Sequence, residues 1–475
     1  MKIDLANLDI SKARRHLDQG DFSVVELTES YLKNIEEKDK DIQAYLEVFD
    51  DCLEQAKNAQ KRIDAGEATQ LTGIPLAVKD NILIKGRKVS AGSKILDGYR
   101  ATYDASVIER LKKEGVVFLG RTNCDEFAMG TSTENSAFQT TKNPHDLERV
   151  AGGSSGGSTA SVAAQMSLFA IGSETGGSIR LPSSFCGTVG LKTTYGSVSR
   201  HGLIAMASSL DQIGPITNTI TDTEIVFNII KGEDRMDSTT IPDGFFRNDR
   251  KDRMVVGVPR DFIEMDGLDG DVLKNFSQSV EKMKNLGYEI KDISFPELKY
   301  SLSAYYIIVP AEVSTNLARF DGVKYGLHKG GKDLLEDYIM TRGEGFGPES
   351  LRRIILGTYV LSSGYYDAYY NKANVARDII RKKFSEIFKQ VDLIAMPVSP
   401  SLPFKIGEKS DNPLELYLAD IFTAPVNLAG IPAISIPAGT SNASGKDLPI
   451  GFQLIAGHGN EDFLFQAGKK FLGEV

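Results

Sequence analysis

Residues 150–191 read VAGGSSGGSTASVAAQMSLFAIGSETGGSIRLPSSFCGTVGL, and this stretch decides how the rest of the chain is read. Two glycine-flanked serine clusters, Gly152-Gly153-Ser154-Ser155-Gly156-Gly157-Ser158 and Thr175-Gly176-Gly177-Ser178, bracket a segment of small residues. Glycine and serine also make flexible linkers. A linker would not carry VAAQMSLFAIG, an apolar run fit for burial, nor close on SIRLPSSFCG. The stretch reads instead as a tight site framework, where glycine lets a substrate approach the main chain. Residues 160–164 suit a closely packed helix, and residues 166–171 a buried strand.

Upstream, Gly73-Ile74-Pro75-Leu76-Ala77-Val78-Lys79-Asp80-Asn81 places a lysine at or just past the end of a short apolar strand, with the apolar run 82–84 following. Alone, such a lysine reads as a cation snorkelling from a strand end. Its order and spacing relative to the serine clusters reverse that reading. The three blocks together resemble the amidase signature family of Ser-Ser-Lys amide hydrolases. The resemblance implies Ser178 as nucleophile, Ser154 as the bridging cis-serine and Lys79 as base, with no metal. It implies an oxyanion hole from the backbone N–H groups of Thr175, Gly176, Gly177 and Ser178. A serine hydroxyl needs a base at neutral pH, and a lysine serves only if desolvation lowers its pKa from about 10.4. The result is triad logic without histidine.

Other polar groups nearby have plainer readings. Ser155 and Ser158 stabilise the loop or cap the following helix. Asp125-Glu126 could be an acid/base pair, but adjacent carboxylates more often cap a turn. Asp80, Asn81 and Arg180 read as residues that fix the loops around the site. Cys186, a rival nucleophile, has no nearby histidine and reads as a small buried apolar residue. The three cysteines, Cys52, Cys124 and Cys186, form no CxxC and suggest neither a disulfide framework nor zinc. The five histidines are scattered without metal-ligand spacing and read as structural or surface residues.

The chain of 475 residues alternates strand and helix patterns, which implies one large α/β/α domain rather than separate modules. The resemblance implies the same fold: a mixed central β-sheet covered by helices on both faces. Residues 1–70 read as a helical lead-in, 71–230 as the catalytic core, and about 300–390 as a tyrosine-rich helical cover over the sheet. In the lead-in, Ser23 and Glu26 form a capping box for a helix over 22–38, with Leu27, Tyr31 and Ile35 on one face. A second helix is expected over 49–64, stopping at Gly66. Residues 104–113 read as a helix and 116–119 as a strand. After a polar stretch at 232–252, strands are expected at 254–258, 288–293, 391–397, 433–437 and 449–456, with a helix near 271–286.

A net charge of −9 with no polybasic block argues that this chain is not itself the main binder of a nucleic acid. No apolar run approaches the roughly 20 residues that cross a bilayer. The first residues, MKIDLANLDISKARR, lack an apolar signal core, so the expected location is the cytoplasm, or an organelle interior if a presequence is missing.

Further blocks narrow the resemblance to the family's glutaminase subunits of tRNA-dependent amidotransferases. They include Asn123-Cys-Asp-Glu-Phe-Ala-Met-Gly130, Tyr195-Gly-Ser-Val-Ser-Arg-His-Gly202 and Ala207-Ser-Ser-Leu-Asp-Gln-Ile-Gly-Pro215. The resemblance implies glutamine hydrolysis here and ammonia delivery to a B-type subunit. There, with ATP and Mg, Glu-tRNA(Gln) becomes Gln-tRNA(Gln), or Asp-tRNA(Asn) becomes Asn-tRNA(Asn). A small C-type subunit completes a heterotrimer. No cofactor belongs to this chain, and the aminoacyl-tRNA is held mainly by the B-type subunit. The positions matching the family's glutamine clamp are Arg353 and Asp420, with Tyr305 nearby as a hydroxyl donor. Arginine's planar fork suits a carboxylate, an aspartate suits an ammonium, and Arg352 reads as a solvated neighbour. Glu174 stands where the family usually has Asp, Thr193 where it has Pro, and Ser197 where it has Arg; the first puts the geometry of the adjoining loop in question. A free-standing amidase acting on small or aryl amides, and an inactive scaffold, are the rival readings.

Overall fold

The computed structural model describes residues 3–246, 251, 254–263, 267–409, 413–442 and 445–474. Its strands are β1 (Tyr45–Val48), β2 (Pro75–Lys79), β3 (Val117–Thr122), β4 (Lys142–Asn143), β5 (Asp146–Val150), β6 (Phe169–Glu174) and β7 (Val189–Lys192). They continue as β8 (Gln212–Thr217), β9 (Val255–Val258), β10 (Glu289–Asp292), β11 (Leu393–Pro397), β12 (Ala433–Ser441) and β13 (Leu448–Ala456). β4 and β5 form a hairpin, and the other eleven make one sheet in the order β1-β3-β2-β6-β8-β7-β12-β13-β11-β9-β10. β3, β2 and β6 run parallel, as do β11, β9 and β10, with antiparallel pairs between the two groups. The fold is α/β, as the alternating pattern implies, with the mixed central sheet that the resemblance implies. Among the described residues no helix is long and apolar enough to cross a membrane.

The sheet register builds the site. β2 is buried along its whole length, and its Val78 pairs with Ile171 of the parallel neighbour β6. Both strands end on the same side, so Lys79 closes β2 level with the last residues of β6. The loop 175–178 leaves from there. Val24–Ile42 opens with the expected capping box and buries Leu27, Tyr31 and Ile35. Full burial of each such side chain contributes on the order of 1.5–3 kcal/mol.

Three expectations are corrected. The strand read at 166–171 lies at Phe169–Glu174, because Met166 and Ser167 fold back to donate to the Ser161 carbonyl at 2.7 and 3.2 Å. The helix read from 49 begins at Cys52, and residues 45–48 form the edge strand β1, which periodicity alone does not reveal. The tyrosines of 364–370 do not pack over the sheet. Tyr365 and Tyr366, in the turn before a π-helical segment at Asp367–Asn371, and Tyr369 within it face outward, each about 40% exposed. The helix Ser301–Asn316 is the buried member of this region, and it packs mainly on the helices Pro348–Leu361 and Lys372–Ile387. Part of the polar stretch 232–252 (residues 247–250 and 252) lies outside the described residues.

Candidate active site

Lys79 is almost wholly buried, and its Nζ donates to Ser154 Oγ at 2.8 Å, Ser155 Oγ at 2.9 Å and the Ser173 carbonyl at 3.2 Å. The next two residues in the chain hold it there. The Asp80 carboxylate pairs with Arg121 at 2.8 Å and accepts from the N–H groups of Ser90 and Gly92. Asn81 Nδ2 donates to Ser173 Oγ at 2.8 Å. Burial lowers the amine to about 8, against the pull of Cys124, Asp125, Asp211 and Glu174. A buried lysine so placed has an appreciable neutral fraction near physiological pH, which is what a base requires.

The two serine clusters meet through their backbones. Ser155 N–H donates to the Ser178 carbonyl at 3.0 Å, and Asp125 N–H to the Ser154 carbonyl at 3.3 Å. The Gly153–Ser154 peptide is cis. Asp125 and Glu126 turn to separate tasks rather than forming an acid/base pair. Asp125 accepts from the N–H groups of Thr133 and Asn135, pinning the loop over Ser154. Glu126 accepts from Ser93 Oγ, Gly347 N–H and Ser350 Oγ, joining the core to the helical region. Ser155 occupies the N-cap position of the helix Gly156–Ala163, but its hydroxyl makes no cap bond. It touches Lys79 and donates to the Ser173 carbonyl at 3.0 Å instead. Ser158 is bound to Thr122 Oγ1 at 2.7 Å inside the fold.

The loop 175–178 is flush against its surroundings. Thr175 Oγ1 donates to Asp211 at 2.7 Å, and Asp211 also accepts from the N–H groups of Met206 and Ala207. A Cβ on Gly176 would stand 2.3 Å from Tyr305 Oη. One on Gly177 would stand 2.5 Å from Thr423 Oγ1 and 3.0 Å from Asp420 Oδ1. Neither glycine has positive φ, so space alone requires them. Among the described residues none accepts a hydrogen bond from the N–H of Gly176, Gly177 or Ser178. Donors left open in this way are what a developing oxyanion requires.

Glu174 answers the question its extra methylene raised. One carboxylate oxygen accepts from Arg180 Nε at 2.9 Å, and the other from the N–H groups of Ile179 and Arg180 at 3.0 and 3.1 Å. The longer side chain thus reaches the start of the helix Arg180–Cys186 and stays within reach of the guanidinium. Arg180 extends the network to Gln453, to the Thr423 carbonyl at 3.0 Å and to Asn427, just beyond Asp420.

Tyr305 and Asp420 abut this loop, and Arg353 lies over the ring of Tyr306, which bonds Asp420; all three are buried. Burial raises the Asp420 carboxyl to about 6. Its hydroxyl partner is Tyr306, which donates at 2.9 Å, whereas the Tyr305 hydroxyl abuts Gly176. Arg353 Nε donates to Glu349 at 2.7 Å, and the guanidinium lies 5.4 and 5.5 Å from the rings of Tyr306 and Tyr417. Arg352 is half exposed and also bound to Glu349. Sequence reasoning places neither Ser155 beside Lys79 nor Tyr306, Glu349 and Tyr417 beside Asp420 and Arg353; adjacency to Tyr305 is the available signal for Tyr306. The Cys186 thiol is pushed up by burial and points to the Ala151 carbonyl, while His145 Nε2 meets the Cys186 carbonyl rather than its sulfur.

The family model described as Amidase matches residues 26–465. The A-type subunit of the glutamyl-tRNA(Gln) amidotransferase of Thermoanaerobacter pseudethanolicus is 50% identical over 484 residues, covering 99% of this chain and 98% of that one. Its counterpart in Desulfatibacillum aliphaticivorans is 48% identical, covering 98% and 97%. Among solved structures, the corresponding A-type protein from Thermotoga maritima superposes with a TM-score of 0.78 at 40% identity, over 99% of this chain and 94% of that one. A 6-aminohexanoate cyclic dimer hydrolase, 25% identical, shares the fold with a TM-score of 0.83 over 100% of this chain and 98% of that one.

Proposed function

The chain belongs to the amidase family, and from that premise we propose that it is the glutaminase subunit of a tRNA-dependent amidotransferase. One observation carries the reading. A desolvated lysine is hydrogen-bonded to the first serine cluster and lies beside the loop of the second, in a chain about half identical, nearly end to end, to the A-type subunits of glutamyl-tRNA(Gln) amidotransferases. The neutral Lys79 amine takes the Ser154 proton while Ser154 takes that of Ser178, whose oxygen attacks the glutamine side-chain carbonyl. The N–H groups of residues 175–178 stabilise the oxyanion. The proton returns along the same relay to the departing ammonia, and water then releases glutamate from the acyl-serine. Asp420 holds the substrate ammonium and Arg353 its carboxylate, with Tyr305 beside them.

The ammonia passes to a B-type partner, where ATP and Mg serve the amidation of Glu-tRNA(Gln) or Asp-tRNA(Asn), and a C-type subunit completes the assembly in the cytoplasm. Reconstitution tests this. With B- and C-type subunits, ATP, Mg and glutamyl-tRNA, the chain should co-purify and glutamine should support amidation. Hydrolysis of simple amides without association or tRNA amidation would make it a free-standing amidase instead.

The pH profile follows from the buried base. With the amine at about 8, the reactive neutral form grows as pH rises. Glutaminase kcat/KM should therefore climb about tenfold per pH unit below 8 and level off above it. Below about 6, protonation of Asp420 should add a rise in KM. A flat profile between about pH 6.5 and 8.5 would remove Lys79 from the base role.

A further inference from the structure

Beside the substrate clamp lies a cavity of about 260 Å³, lined by Thr131, Glu349, Arg352, Arg353, Leu416 and Tyr417 among others. Tyr417 belongs to the short helix Pro413–Leu418, which ends just before Ala419 and Asp420. Its ring stacks on Tyr306 with centroids 4.0 Å apart and planes 20° from parallel. Its hydroxyl donates at 2.9 Å to Glu349 Oε1, the same oxygen that accepts from Arg353 Nε at 2.7 Å. Tyr306 in turn donates to Asp420. One partly exposed ring thus touches the supports of both charged groups: Glu349 for Arg353, and Tyr306 for Asp420.

We propose that Tyr417 is a positioning residue for amino-acid recognition, forming one wall of the clamp and fixing its two charges before substrate arrives. The proposal rests on the glutaminase reading. Physically, the stacked ring keeps water from one face of Tyr306 and of the Arg353 guanidinium, where charge interactions gain strength from the lower local dielectric. The hydroxyl supplies one of the donors that Glu349 needs once it is buried. Without the ring, Arg353 and Asp420 become hydrated and free to move, and binding a charged head then costs the ordering that the wall had already supplied. Among the described residues Tyr417 meets Tyr306, Glu349 and Arg353, and no hydrogen bond or ring contact joins it to the loop of Ser178. Recognition of the head should suffer, and the chemical step should not.

The test compares glutamine with butanamide, a primary amide lacking the charged head, on the full chain. Tyr417→Ala should raise the glutamine KM about tenfold or more, with kcat within about threefold and butanamide kcat/KM within about threefold. Tyr417→Phe keeps the stack and loses the bond to Glu349, so it should recover most of the glutamine KM. A glutamine KM for Tyr417→Ala within about twofold of the parent, or equal losses on the two substrates, would overturn the proposal. If the parent turns over butanamide and not glutamine, the glutaminase reading itself falls, and the role of Tyr417 falls with it.

Discussion

Ser178→Ala is expected to lower glutamine hydrolysis by about a thousandfold or more, leaving the fold intact. The side chain removed is one hydroxyl on a residue whose backbone carbonyl, not its Oγ, ties the two serine loops together through Ser155 N–H. The loop is also held from Thr175 to Asp211 and from the Gly177 carbonyl to Leu181 N–H, and none of these bonds involves the lost atom. Stability should therefore change little while the nucleophile disappears. Lys79 and Ser154 keep their 2.8 Å contact but have no group to activate that can form an acyl intermediate. If the acceptor chemistry belongs to a B-type partner, as proposed, the same variant in the assembled amidotransferase should still amidate glutamyl-tRNA when ammonium replaces glutamine. Near-parental glutamine hydrolysis by Ser178→Ala would end the assignment of this serine.

What can be read from the sequence, and what cannot, divides along a physical line. Lys79, Ser154 and Ser178 sit in short contiguous blocks whose glycines and strand-end placement are local properties, and so do the Ser23–Glu26 cap and the buried β2. Tyr306, Glu349 and Tyr417 have no such local mark. Their meeting depends on how the helices Ser301–Asn316 and Pro348–Leu361 pack and on where the short helix before Asp420 lands. Ser155 escapes local reading for a related reason. A serine before a helix is a cap by local statistics, and only the parallel register of β2 and β6 brings Lys79 to its hydroxyl. The shifted start of β6 shows the same limit, since an apolar run does not say which of its residues turn and which pair. The exposed tyrosines show it again: aromatic residues raise the expectation of burial, and the turn and π-helical segment that hold them at the surface are not encoded in their spacing.

Glu174→Gln should cost about 3–5 kcal/mol of unfolding free energy, the range for breaking a buried ion pair by removing one partner. Both side chains of the Glu174–Arg180 pair are 0% exposed, so water cannot replace what is lost. Burial works to raise the Glu174 carboxyl, and the charge and hydrogen bonds of Arg180 together with the Lys192 charge outweigh it, holding the group below its ordinary 4.5. The glutamine amide has the same shape but no charge, and its NH2 cannot accept from either Arg180 or the N–H groups of Ile179 and Arg180. The guanidinium would remain buried, with neutral acceptors at Gln453, Asn427 and the Thr423 carbonyl. A carboxyl with a lowered native pKa contributes stability that is present above 4.5 and lost as pH falls through its native value. The gap between parent and variant in denaturant unfolding should therefore be full near pH 7 and shrink in acid. Since Arg180 also ties the Ser178 loop to the segment after Asp420, the surviving folded variant should show weakened glutamine turnover as well. A change below about 1 kcal/mol at pH 7, with no narrowing in acid, would mean that the neutral partners alone suffice to hold Arg180.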